Sequence, residues 1–194
     1  MAYQKKNPSA EERKAHMDNM QKKAAAAHRK QTIEKIKAFL KESEEYFDTQ
    51  DRLEQAYSEA GLANAMRWTV QRLQGYYDYN DGWEAEVVEA QVEAFEAGDE
   101  EIDDPRCVMS YYMRLAYQRI QEQIAEFVTA NSRISKKDFE KFMMATGEMA
   151  TDVGTILYGK EAVASGLIDR LGGLNDALSC LHRMIEKRKA EKKA

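Results

Sequence analysis

The sequence predicts a mainly α-helical protein with a small α/β element at its C-terminal end. Three observations carry that expectation. Apolar residues recur three and four apart over most of the chain, as in Ile33, Ile36 and Phe39, or Met113, Tyr117, Ile120, Ile124 and Phe127. Only 2 Pro occur in 194 residues, so little interrupts a helix. After Gly147 the pattern changes to short apolar runs set between glycines. With 32% charged residues, the composition suits a chain in water. No apolar run approaches the roughly 20 residues of a membrane-spanning helix. No basic start precedes an apolar stretch, so no secretory signal is expected and the location is expected to be cytoplasmic.

The elements follow in order. Ser9 with Glu12 three positions on is a capping-box signature, opening a helix over 11–30. That segment offers only Met17, Met20 and Ala24 to Ala27 as apolar material. Residues 1–30 therefore read as a basic helical arm that frays alone or docks on something. Ile33, Ile36, Phe39 and Leu40 give the first firm amphipathic stripe. Asp51 is placed to cap a helix carrying Leu53, Ala56 and Tyr57 and ending at Gly61. Leu62, Met66, Trp68, Val70 and Leu73 mark the next, ending near Gly75. The run Tyr76-Tyr77-Asp78-Tyr79-Asn80-Asp81-Gly82-Trp83 contains an Asn-Asp-Gly turn. Its aromatics suit either a binding surface, Trp83 included, or a seal between helices. Asp78, Asn80, Gly82 and Glu89 mimic part of a calcium loop, but the glycine is one position early and calcium is not expected.

Trp83 to Gly98 reads as a helix with Val87, Val88, Ala94 and Phe95 on its apolar side. The acidic connector Gly98 to Pro105 is the best boundary, and Pro105 opens a long helix. Asn131-Ser132 ends it. Ser135 with Asp138 begins another, with Phe139, Phe142 and Met143 inward. Val153 to Tyr158 and Leu167 to Leu171 read as strands on either side of a short helix, Gly159 to Gly166. Asn175 then caps a final helix with Ala177, Leu178, Leu181 and Ile185. The expected divisions are 1–30, a basic arm; 31–104, a helical region with an acidic helix; and 105–194.

The run Asp152-Val-Gly-Thr-Ile-Leu-Tyr-Gly-Lys-Glu-Ala-Val-Ala-Ser-Gly-Leu-Ile-Asp-Arg-Leu-Gly-Gly-Leu174 resembles the end of the ClpP-type serine peptidases, in particular their translocation-enhancing (TepA) branch. Tyr117 to Val128 is similar to that branch's long handle helix, and Ser135 to Gly147 to the helix after it. The resemblance spans about 111–178 and implies a helix-helix-strand-helix-strand-helix segment. It also implies a Ser-His-Asp site, with the nucleophile in a Gly-X-Ser turn. This sequence departs there. None of its 10 glycines has Ser two positions later, Gly98 to Tyr112 holds no His, and Asp152 alone cannot perform acyl transfer. The resemblance therefore implies shared ancestry without peptidase activity.

No other chemistry emerges. Cys107 and Cys180 are too far apart in sequence for a metal motif and too few for a disulfide framework. His16, His28 and His182 stand singly in polar stretches. No catalytic residue, metal or cofactor is expected.

Charge is distributed basic, acidic, basic. Lys5 to Lys41 holds 11 basic and 4 acidic residues; Leu73 to Pro105 holds 12 acidic and no basic ones; Arg183 to Lys193 holds 6 basic and 2 acidic. Two functions fit. In the first, a non-catalytic interaction protein associates with itself or with a ClpP-type peptidase through Tyr117, Ile120, Ile124 and Phe127, because the family's handle helix mediates contact between rings. In the second, a phage or mobile-element inhibitor binds a nucleic-acid enzyme, for example a CRISPR nuclease. Glu86, Glu89, Glu93 and Glu96, three and four apart, would mimic phosphates from one helix face. Direct nucleic-acid binding is not expected, because no aromatic interleaves the basic runs.

Overall fold

The computed structural model describes residues 9–99, 101–145 and 156–192. The chain divides into two compact units, Met1–Gln121 and Glu122–Ala194. Eight α-helices occur among the described residues.

In the first unit, α1 (Ala10–Arg52) starts at the capping box. Ser9 Oγ accepts the Glu12 N–H at 3.1 Å, and the Glu12 carboxylate accepts the Ser9 N–H at 2.7 Å. No residue from Ala10 to Gln31 is buried, but Ile33, Ile36, Phe39, Tyr46 and Phe47 are. The basic arm and the first firm stripe thus lie on one unbroken helix of 43 residues.

Asp51 does not cap a second helix; it sits in the last turn of α1. Residues 53–57 are irregular, and Glu54 has a φ of 53°. Tertiary bonds hold this bend. Tyr46 Oη accepts the Ser58 N–H at 2.9 Å, and Gln50 Nε2 donates to the Ala56 carbonyl at 3.1 Å. Ser58 is the cap instead, its Oγ accepting the Gly61 N–H at 3.0 Å at the start of α2 (Glu59–Ala65). Gly61 lies inside α2. A side chain there would meet the Tyr46 hydroxyl at 2.5 Å, so close packing rather than helix termination explains it. The helix expected over 62–75 is two helices, because Arg67 takes a φ of 54°. The second, α3 (Val70–Tyr77), is capped by Thr69.

One 3-10 turn, Asp78–Asn80, leads to α4 (Ala85–Glu96), which stops at Gly98 with a φ of 81°. Pro105 opens α5 (Pro105–Ala130) as expected. Val108, Met109, Met113, Ala116, Tyr117 and Ile120 face the core, joined by Leu62, Met66, Leu73 and Val92. Ile102, within the acidic connector, is buried in the same core, so residues on both sides of Pro105 build one cluster. Each fully buried large side chain contributes roughly 1.5–3 kcal/mol.

The second unit continues from the last turns of α5 through α6 (Lys136–Met143), α7 (Gly159–Ala164) and α8 (Leu174–Glu191). Ser135 caps α6, and Phe139, Phe142 and Met143 are half-buried. The Arg133 N–H donates to the Gly166 carbonyl at 2.9 Å, and Arg133 pairs with Asp169 at 3.2 Å. Gly166 has a φ of 83°, and a Cβ there would come within 2.9 Å of the Arg133 backbone. Among the described residues of this unit, the buried apolar side chains are Ala125, Ile134 and Ala162.

No strand occurs among the described residues, which corrects the α/β expectation for Leu167 to Leu171. The N–H groups of Leu167 and Ile168 turn back to the Ala162 carbonyl at 3.0 and 3.2 Å, closing α7 instead of joining a ladder. Of the other expected strand, Ile156 to Tyr158 is irregular, and 153–155 lie outside the described residues. Gly173, not Asn175, caps α8, with the Asp176 carboxylate accepting its N–H at 2.8 Å.

Candidate interaction surfaces

The apolar stripe along α5 divides into two parts. Tyr117 and Ile120 are 6% and 4% exposed and belong to the first unit's own core, so they are committed within the chain. The Tyr117 ring lies 5.0 Å from that of Tyr77. Burial, and then the Glu59 charge, push its phenol above the ordinary tyrosine pKa, so it stays protonated. Ile124 and Phe127, one and two turns on, are 43% and 69% exposed. They are the part of the stripe open to a partner.

Glu86, Glu89, Glu93 and Glu96 are all exposed on α4; Val88, Gln91 and Phe95 on the far side are half-buried, and Val92, at the edge of the acidic face beside Glu96, is buried. Among the described residues no cation pairs with these four carboxylates in an ion pair of 4 Å or less. Glu96 accepts the Tyr112 hydroxyl at 2.9 Å.

The aromatic run is built mainly as a seal. Tyr76 lies 5.6 Å from Trp68, and Arg114 stacks 5.0 Å from the Tyr77 ring and donates to the Tyr77 carbonyl at 3.0 Å. Tyr79 donates to Asp104 at 2.6 Å, under an Arg106 guanidinium 4.8 Å from its ring. Burial disfavours the Asp104 carboxylate. The hydrogen bonds from Arg106 and Tyr79 outweigh that, and its pKa falls below the ordinary value. Trp83, 5.8 Å from Tyr79, keeps 39% of its surface exposed.

A further open apolar surface, outside the interaction residues singled out from the sequence, lies on α8. No residue of α8 is buried. Leu174, Leu178, Leu181, Met184 and Ile185 are between 41% and 76% exposed. Leu174, Leu178, Leu181 and Ile185 recur at 4, 3 and 4, a spacing readable in the sequence, although nothing there tells a covered face from a bare one. An open groove of about 350 Å³ runs beside them, lined by Leu171, Gly172, Ala177, Cys180, Leu181 and Met184 among others.

Histidines 16, 28 and 182 are exposed, and Asp152 lies outside the described residues. Burial pushes the Cys107 thiol above its ordinary pKa, which disfavours the nucleophilic thiolate. No group of three or more His, Cys, Asp or Glu among the described residues is arranged to hold a metal ion. No helix among them is long and apolar enough to cross a membrane.

Over 69 residues, 36% of the chain, the sequence is 41% identical to the translocation-enhancing protein TepA of Halalkalibacterium halodurans strain C-125. The chain therefore contains a TepA-like region. It spans about a quarter (27%) of that relative's length. No family model matches the chain, and no solved structure matches it significantly.

Proposed function

We propose that the chain is a non-catalytic interaction protein, whose TepA-like region associates through helices with a second copy or with a ClpP-type peptidase. The observation that supports this best is the exposed apolar side chains among the described residues of the second unit. Ile124 and Phe127 on α5 and the α8 residues stand in water, and large exposed apolar patches mark interaction sites. The absence of activity rests on the sequence, which has no Gly-X-Ser nucleophile turn and no His just before α5.

A tagged chain is expected to recover a ClpP-type peptidase, or itself, from lysate at both low and high salt. Apolar contacts are little screened by ions. Ile124→Glu with Phe127→Glu is expected to lower that recovery at least tenfold with an unchanged melting temperature, because neither side chain is buried. Turnover of fluorogenic peptides that a serine-directed covalent inhibitor abolishes would overturn the non-catalytic role.

A second function, inhibition of a nucleic-acid enzyme by phosphate mimicry, is favoured by the exposed α4 carboxylates, which form no ion pair among the described residues. It requires recovery of such an enzyme at low salt and its loss at high salt. Recovery unchanged by salt sinks it.

A further inference from the structure

We propose that α8 is the seam of a homodimer, in which two copies of this chain pair α8 against α8, antiparallel, about a two-fold axis between Ser179 and Cys180. This deepens the interaction role and rests on it.

The stripe is self-complementary. Reversing α8 about that axis sets Leu174 opposite Ile185 and Leu178 opposite Leu181, and the same contacts repeat across the two-fold. The 4, 3, 4 spacing is that of a knobs-into-holes seam. Arg188, at the next position of the stripe, ends it. Of the residues flanking the seam, His182 faces Ala177 and Asn175 faces Met184, so no like charges meet.

Charge selects the direction. Beyond Met184, α8 carries Lys187, Arg188 and Lys189 against Glu186 and Glu191, whereas before Leu181 its one charge is Asp176. A parallel pair would stack two basic ends. An antiparallel pair separates them and, about the same axis, sets Arg183 of each copy opposite the partner copy's Asp176. The helix dipoles then oppose, which also favours the pair. Five large side chains on each copy, two-fifths to three-quarters exposed, approach the roughly 1,000 Å² that a specific interface requires.

The test uses the full chain. Light scattering on a sizing column, over a tenfold concentration range, is expected to give the dimer mass. Leu178→Glu with Leu181→Glu is expected to give the monomer mass with unchanged circular dichroism, since both residues are exposed. In a Cys180→Ser background, a mixture of Leu174→Cys and Ile185→Cys chains is expected to cross-link between the two variants. Each variant alone is not, because its cysteines lie about 16 Å apart along the antiparallel seam. A dimer that survives the double glutamate variant, or cross-linking of Leu174→Cys to itself, overturns the seam. A monomeric wild type that still recovers a peptidase also overturns the seam and leaves the interaction role standing. A monomer that recovers nothing overturns both.

Discussion

In the sequence Asn80 reads as a turn residue and as part of an incomplete calcium-loop match, yet it is 7% exposed and its Nδ2 donates to the Cys107 carbonyl at 2.9 Å. It ties the 3-10 turn to the first turn of α5. Asn80→Ala is expected to cost about 1–3 kcal/mol, the usual loss for a buried hydrogen bond, read as a lower urea midpoint. Asp104 supplies a pH dependence. Its folded pKa lies below the ordinary 3.8, so it stabilises the fold fully above that value. That contribution disappears as the pH falls through the lower, folded value. Below about pH 4 the wild-type midpoint is therefore expected to drop more steeply than that of Asp104→Asn. Equal slopes would show that the Tyr79–Asp104–Arg106 cluster adds nothing.

Among the elements, α1 is the most unequal along its length. Its first half touches no core, and its second half supplies Ile36 and Phe39, both essentially inaccessible. Deleting residues 1–24 is expected to remove helical signal in proportion to length while leaving the unfolding free energy within about 0.5 kcal/mol, because none of the described residues removed is buried and the His28 carbonyl that accepts the Thr32 hydroxyl is kept. A large drop would mean that the arm packs somewhere in solution. On α5, periodicity correctly groups Tyr117, Ile120, Ile124 and Phe127 on one face. It does not say that the first two are covered and the last two bare. Nor does it separate α2 from α3, since the break at Arg67 is a positive-φ residue with no glycine to announce it.

At the scale of the whole molecule, burial is concentrated. The first unit holds a continuous cluster from Ile33 to Ile120, whereas the described part of the second buries Ala125, Ile134 and Ala162. Hydrogen exchange read by mass spectrometry is expected to find the slowest amides in α5 between Val108 and Ile120 and in α1 between Ile33 and Phe47. In the Leu178→Glu, Leu181→Glu variant the α8 amides are expected to exchange fastest among the helices of the second unit. Protection of α8 equal to that of α5 in that variant would mean that another surface covers it.

What the sequence determined by itself is local. Ser9 with Glu12, Pro105, Gly98 and Ser135 begin or end helices where they stand, because capping satisfies backbone groups within a few residues of the cap. The mainly helical class follows from the same short-range chemistry. Tertiary structure decided the rest. The Tyr46 and Gln50 bonds turn the chain after Arg52, α7 takes the N–H groups that a strand at Leu167 would need, and no residue of α8 is buried. Periodicity fixes which side chains share a face, but what lies against that face depends on residues distant in sequence.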